Sequence, residues 1–558
     1  MSLFYLILPK KHIAFMRKTL FLWISIFISL SAYATHNRAG EITYKHISGL
    51  TYEFTILTYT YSLSPADRPS LNINWGDGSS SIVNRYRKTP LPNYVNLNLY
   101  KGVHTFSGQG TFVVSMEDPN RNGGVINIPN SINVPFYIET TLTINPFIGP
   151  NSSPVLLNPP IDNGCVGFPF YHNPSAYDSD GDSLAYELVA CRGANGNFIQ
   201  GYTFPSASIS FSIDPITGTL SWINPQMQGE YNVAILIKEY RRGIEIGNIT
   251  RDMQITIGAC NNHPPVIESI NDTCVTVGDT LSFRVKATDI DNDVISLRAT
   301  GGPLVLTNNK ANFPQPINGV GHVSSLFSWI PVCEHVQLQP YQMIFKATDN
   351  GTPINLVDIK SVFIKVVAPP PENLTATPRA NNIKLSWNEE YCSNRIGYDI
   401  YRHNGYIGYR PSHCETGVPP WTGYVKIGST SGDTTFLDNN NGYGLIHGPS
   451  YCYMVVAVFP DGAESYPSLE ACTSLIKDVP VITNISIDST DTNQGKATII
   501  WSKPDSLNLS QTPGPYKYLI YHNTTGIGQA MTLLDSLSSL NDTIYPVSYT
   551  HLTLPTKA

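Results

Sequence analysis

The chain has 558 residues, a net charge of −7 and only 14% charged residues. That length calls for several domains of about 100–150 residues each, and the acidic balance, with no Lys/Arg block, excludes nucleic acid as a partner class. Hydrophobic residues at 41%, 32 tyrosines and 42 each of Gly and Pro favour β-rich domains with many tight turns.

The first element is a targeting segment. From Met16, "MRKTLFLWISIFISLSAYA" supplies Arg17 and Lys18, an apolar run and a small-residue end at Ala34. This is the pattern of a cleaved secretory signal, with Met16 as the expected start. The run is shorter than the roughly 20 residues a membrane span needs, and no second segment is long enough. The mature chain is therefore expected to be secreted or to sit on the cell surface, outside any outer membrane, with no transmembrane span.

Beyond Ala34 no long 3.6-residue period occurs. Short β-branched and aromatic runs recur instead, such as "YEFTILTYTYSL", "GTFVVSM", "EYNVAILIKEY" and "YCYMVVAVF", separated by Gly, Pro, Asn and Asp. The fold class predicted is all-β, a tandem series of immunoglobulin-like β-sandwiches. Pro-rich junctions near Pro150, Asn261 and Val367 divide the chain into 1–34, 35–147, 148–260, 261–368, 369–478 and 479–558.

Internal repeats support that division. "NSSPV" and "NNHPPV" open two modules. Each continues with a Cys and an acidic triplet: Asp178, Asp180 and Asp182, then Asp289, Asp291 and Asp293. "GTLSWINP" with Trp222 answers to "SLFSWIPV" with Trp329, and a late strand carries Glu239 or Asp349. Further on, "NIKLSW" with Trp387 precedes "GYDIYR" with Tyr398, and "ATIIWS" with Trp501 precedes "YKYLIYH" with Tyr518. The one recurring Trp per module reads as core. The last repeat lacks two strands, so a truncated domain is expected there, with a doubtful tail after Pro546.

Nine cysteines suit an oxidising compartment. Taken as consecutive couples they predict Cys274–Cys333, Cys392–Cys414 and Cys452–Cys472. Cys165, Cys191 and Cys260 remain, one of them odd; Cys165 and Cys191 are expected among the bonded cysteines, with the pairing of the three left open. No CxxC occurs, which argues against structural zinc.

Several motifs carry family resemblances. "NINWGDG" (Asn72 to Gly78) followed by "HTFSGQGTFVVSMED" (His104 to Asp118) resembles a PKD domain. "YDSDGDSLAYEL" and "FSIDPITGTLSWINP" resemble cadherin-like domains of the dystroglycan type, and the next module shares the acidic strand and "ATDNG". The stretch from Pro369 to Asp478 resembles fibronectin type III. This order after a signal peptide is similar to large surface proteins of gliding bacteria exported by a type IX system. The resemblance implies a non-enzymatic spacer or adhesion array that meets neighbouring cells or extracellular polymers, polysaccharide or protein. The alternative is an accessory region of a secreted polysaccharide- or protein-degrading enzyme.

The acidic triplets admit two readings. Alternate residues on a strand share a face, so each triplet, joined by Glu239 or Asp349, can gather carboxylates for calcium. Like charges on one face repel unless a cation compensates. The other reading is Asx-turn formation at a strand end, with no metal. An EF-hand fails, because Ser183 and Val189 stand where that loop needs Gly and Glu. No HExxH, GxSxG or P-loop motif is present, so no catalytic residue is assigned. A carbohydrate-binding surface would require an exposed aromatic row.

Overall fold

The computed structural model describes residues 37–64, 67–389, 391–447, 449–475, 479–491, 494–504, 514–522 and 531–549. The expected signal segment and the last residues of the tail lie outside these. Among the described residues the chain is all-β, with only short helical turns. It forms two compact units. One runs to Val332 and resumes over Gln337–Val366; the other joins Cys333–Val336 to the chain from Val367 onward.

The first unit begins with β1 (Asn37–Ser48), β2 (Thr51–Tyr61), β3 (Ser70–Asn74), β4 (Ser80–Leu91), β5 (Val95–Thr105), β6 (Gly110–Asp118) and β7 (Phe136–Ile144). In β2 the alternation of Tyr52, Phe54 and Ile56 buries one face, against Trp75, Phe106 and Ile138. After β3 the chain turns at Gly76, whose φ of +80° suits a residue without a side chain. A Cβ there would strike the backbone of Val113.

Nine further strands follow: β8 (Val155–Leu156), β9 (Ile161–Cys165), β10 (Phe170–His172), β11 (Ala176–Tyr177), β12 (Ser183–Val189), β13 (Ala207–Ile213), β14 (Leu220–Pro225), β15 (Gly229–Arg241) and β16 (Ile244–Gly258). The junction near Pro150 does not end the hydrogen bonding. The main sheet runs β1-β2-β5-β4-β3-β6-β7-β16-β15-β12, and β1 also meets β16. Strand β16 is shared: Gly247–Ile249 pair with β7, Asp252 faces Gly40 of β1, and Gln254–Gly258 run parallel to β9.

Buried ions lock this shared strand. Arg251 donates to Glu41 through Nε (2.5 Å) and Nη2 (2.9 Å), both residues being at most 1% exposed. Arg121 donates to Asp252 at 2.6 Å, also in full burial. Asn232 adds a bond to Asp252 Oδ1 at 3.0 Å.

The third module contributes β17 (Val266–Ile267), β18 (Thr273–Thr276), β19 (Leu281–Thr288), β20 (Val294–Gly301), β21 (Ile317–Val320), β22 (His322–Trp329), β23 (Tyr341–Thr348) and β24 (Val357–Val367). Its strands divide into sheets β17-β19-β22 and β18-β24-β23-β20-β21. It meets the second module through polar contacts. Asp162 accepts from Lys346 Nζ (2.7 Å) and pairs with His172 Nδ1 (2.8 Å), and Gln342 donates to the Thr217 carbonyl (2.7 Å).

In the second unit, Thr375–Arg379, Asn382–Ser386 and Thr435–Asp438 form one sheet. Val425–Thr430, Gly397–Asn404, Ser450–Val458 and Ala471–Ser474 form the other. This three-plus-four arrangement is a β-sandwich. The last repeat supplies a three-stranded and a two-stranded sheet.

The recurring tryptophans are core residues. Trp222, Trp329, Trp387 and Trp501 are buried, and each meets a tyrosine edge-on: Tyr231, Tyr341, Tyr398 and Tyr518, with centroids 4.9–5.3 Å apart.

Three expected cysteine assignments are corrected. Cys333 bonds to Cys392, not Cys274, so Cys392–Cys414 also fails. The reason is that Cys333 lies in a short turn after β22 that packs with the second unit, where Asn394 donates to its carbonyl at 3.0 Å. Cys274 and Cys414 are disulfide-bonded too. Cys452–Cys472 forms, its residues directly opposed on neighbouring strands. Cys165 bonds to Cys260, not Cys191, because β9 runs beside the end of β16. Cys191 is the odd thiol, fully buried against Val125, Ile128 and Ala234.

Candidate cation sites at the module junctions

The acidic triplets sit where one module passes the chain to the next. In the first, Asp178 Oδ1 accepts from the backbone amides of Asp180 (2.9 Å) and Asp182 (3.0 Å). Asp180 turns away and accepts from Ser152 N at 2.7 Å, which ties the linker down. The second triplet repeats this. Asp289 Oδ1 accepts from Asp291 N (2.8 Å) and Asp293 N (3.3 Å), and Asp291 accepts from His263 N at 2.7 Å. The Asx-turn geometry is therefore present in both copies.

The same turns gather carboxylates. Ligand oxygens of Asp178, Asp182 and Glu239 lie within 4.8 Å of one another, as do those of Asp289, Asp293 and Asp349. Asp180 and Asp291 are not part of these groups. Burial is deep: Glu239 is 0% exposed and Asp349 2%. Asp178 Oδ2, both Glu239 oxygens and Asp289 Oδ2 are buried without a hydrogen-bond partner. An unmatched buried carboxylate oxygen is costly unless a proton or cation meets it. Burial, and then the neighbouring Asp178, pushes the Glu239 carboxyl well up. Burial is also the main reason that Asp178 is raised, and Asp349 is raised by burial in the same way.

The two clusters differ in compensation. Arg241 grips Asp182 bidentately (Nε 2.8 Å, Nη2 2.5 Å) and donates to the carbonyls of Ile148 and Pro150 in the linker. No ion pair engages Asp289, Asp293 or Asp349 among the described residues. Asp349 instead accepts from Gly351 N, Leu356 N and Asn262 Nδ2. An all-oxygen donor set with orphaned oxygens suits a hard divalent cation such as Ca²⁺.

Residues around the acids were not foreseen. Gly247 lies opposite Glu239 across β15 and β16, and a Cβ there would collide with the Tyr44 hydroxyl and Glu239 Oε2. Gly351, in the loop two residues after Asp349, leaves room for Asn262: a Cβ there would collide with Asn262 Nδ2. Asn151 and Asn262 hold matching positions: Asn151 donates to Tyr44 Oη (3.1 Å) and accepts from Arg241 (2.9 Å). The shared Asn of "NSSPV" and "NNHPPV" was the available hint.

In the first module the two motif halves meet. His104 Nε2 pairs with Asp77 Oδ2 at 2.7 Å, and its ring stacks on Trp75 at 4.8 Å. Asp77 Oδ1 also accepts from Ser79 N at 2.9 Å. These contacts close a turn between β3 and β4 and tie it to the end of β5.

No family profile matches the chain, and no curated protein matches it. Solved structures do. A titin segment is 13% identical and covers 58% of this chain and 98% of its own, with a TM-score of 0.19. A Drosophila N-cadherin segment is 12% identical, covering 72% and 92%, with a TM-score of 0.16. A chicken tenascin segment of two fibronectin type III domains is 9% identical, covering 38% and 97%, with a TM-score of 0.19. The strand pairings themselves define a multidomain chain of immunoglobulin-like β-sandwiches. No helix among the described residues is long and apolar enough to cross a membrane.

Proposed function

We propose that this is a non-enzymatic, exported array of β-sandwiches that works as a spacer and adhesion module at a cell surface, of the kind found in gliding bacteria. Calcium bound by Asp178, Asp182 and Glu239, and by Asp289, Asp293 and Asp349, stiffens its junctions. The observation that carries this reading is the pair of buried carboxylate clusters with orphaned oxygens, each built beside a linker that its middle aspartate caps. A cation there would neutralise the repulsion and fix the linker against the following module. The cluster without an arginine has the greater demand for it.

The test is thermal unfolding of the disulfide-bonded chain in about 5 mM CaCl₂, above an extracellular-type site affinity of about 10⁻⁴–10⁻³ M, and in EDTA. At roughly ten times Kd each site adds about 1–1.5 kcal/mol, so Tm rises with calcium. Asp289→Asn removes most of that rise and Asp178→Asn a smaller share. Superimposable curves in the two buffers leave the aspartates as turn formers only.

A further inference from the structure

The strands Gly397–Asn404 and Val425–Thr430 are antiparallel neighbours, yet the chain between them runs from Gly405 to Tyr424. Hairpin loops usually take about two to five residues, and long loops are commonly functional. This loop is ordered by its own small core: Tyr409 and Tyr424 are buried with Cys452 and Met454. Glu470 anchors it, accepting from Gly408 N (2.6 Å), Ile407 N (3.2 Å) and Tyr424 Oη (2.6 Å). Tyr466 Oη accepts from Cys414 N at 3.1 Å, and Ser465 O from Gly417 N at 3.0 Å.

On this ordered loop two large rings face water. Trp421 is 72% exposed and Tyr406 69%. Trp421 rests edge-on against the buried Tyr409, 5.5 Å between centroids at 80°. The Tyr406 ring lies over Gly408, where φ is +73° and a Cβ would stand only 3.3 Å from it. An accessible aromatic on a rigid support is unfavourable in water, and it is a form of binding surface that loses little entropy when a ligand arrives.

We propose that Trp421 and Tyr406 form a stacking platform for a neutral polysaccharide, a reading that rests on the adhesion function above and names its ligand class. A pyranose ring has flat C–H faces and a rim of hydroxyls. The C–H faces suit the electron-rich face of an aromatic ring, and the hydroxyls need polar groups beside it. The loop carries an exposed Arg410 and Ser412, with Ser412 N and Oγ donating to Glu415 Oε2 at 3.0 and 2.9 Å; one Arg and one Glu leave it without net charge, which suits an uncharged chain. A protein hot spot would instead require a water-excluding surround. The exposed aliphatics between Gly405 and Val425 are only Ile407 and Val425, too few to build one.

The full disulfide-bonded chain is incubated with insoluble cellulose, chitin and xylan, and separately with gelatin-coated beads and whole bacterial cells. Retention on at least one polysaccharide is expected. Trp421→Ala should weaken it about tenfold or more, as truncation of a central aromatic does, and Tyr406→Ala should also weaken it. Tyr443→Ala, an 89%-exposed ring outside the loop, should not. All three side chains are exposed, and matching far-ultraviolet circular dichroism confirms their folding. No retention on any polysaccharide overturns the platform, as does Trp421→Ala binding like the parent chain. Retention on gelatin or cells alone overturns the platform and leaves the adhesion reading standing; retention on nothing overturns both.

Discussion

His172 shows how much a single buried residue can carry. It is 1% exposed, its Nδ1 faces Asp162, and its Nε2 has no hydrogen-bond partner. Burial holds its pKa below the usual value, despite the opposing pull of Asp162. The folded chain therefore keeps it neutral, whereas the unfolded chain protonates it below about pH 6.5. More protons are bound in the unfolded state, so stability is present above that pH and falls as the pH drops, by up to about 1.4 kcal/mol per unit. Asp162 shifts the other way in cause: burial raises it, and Lys346 and His172 more than offset that, leaving it lowered. Its contribution is lost only below the ordinary Asp range of about 3.9. Urea midpoints between pH 7 and 5 should fall for the parent chain and flatten for His172→Gln; an equal slope in both would assign the dependence elsewhere. At the cation sites the Asp triplets were legible from spacing alone. Tyr44, Gly247 and Arg241 were not, because each reaches its acid across strands or from another module.

At the scale of elements the decisive strand is β16. Its sequence "IEIGNITRDMQITIG" reads as an ordinary strand with an awkward Arg-Asp pair at its centre. In the fold Arg251 and Asp252 point to opposite faces, and each finds a buried partner: Glu41 for Arg251 and Arg121 for Asp252. Removing one member of a buried pair leaves an uncompensated charge, which costs about 3–5 kcal/mol. Glu41→Gln should destabilise by that order in a denaturant titration. The double variant Glu41→Met/Arg251→Met should recover most of it, since apolar replacements of buried pairs are often near neutral. If Glu41→Gln costs nothing, the pair does not hold β1 against β16.

On the whole-molecule scale, the shared sheet makes the first two sandwiches one folding unit. A fragment covering 35–147 would lose the β16 partner of both β1 and β7. It would also bury Glu41 and Arg121 without their counterions, and open strand edges promote association. That fragment should aggregate or give a poorly dispersed amide spectrum, whereas 35–260 should be monomeric and folded by gel filtration and NMR. A well-dispersed spectrum from 35–147 alone would show that the sheet closes without its neighbour.

Local chemistry determined the fold class of this protein. The period-two runs, the Gly-Asp turns and the recurring Trp and Tyr of each module need only near neighbours in the chain, so composition and spacing display them. The acidic triplets were visible for the same reason. The disulfide partners of Cys333 and Cys165, the strand shared across Pro150, the orphaned oxygens of Glu239 and Asp289, and the exposure of Trp421 needed the tertiary structure. Each depends on which distant surface a residue meets, and desolvation and pairing across such distances leave no period in a sequence.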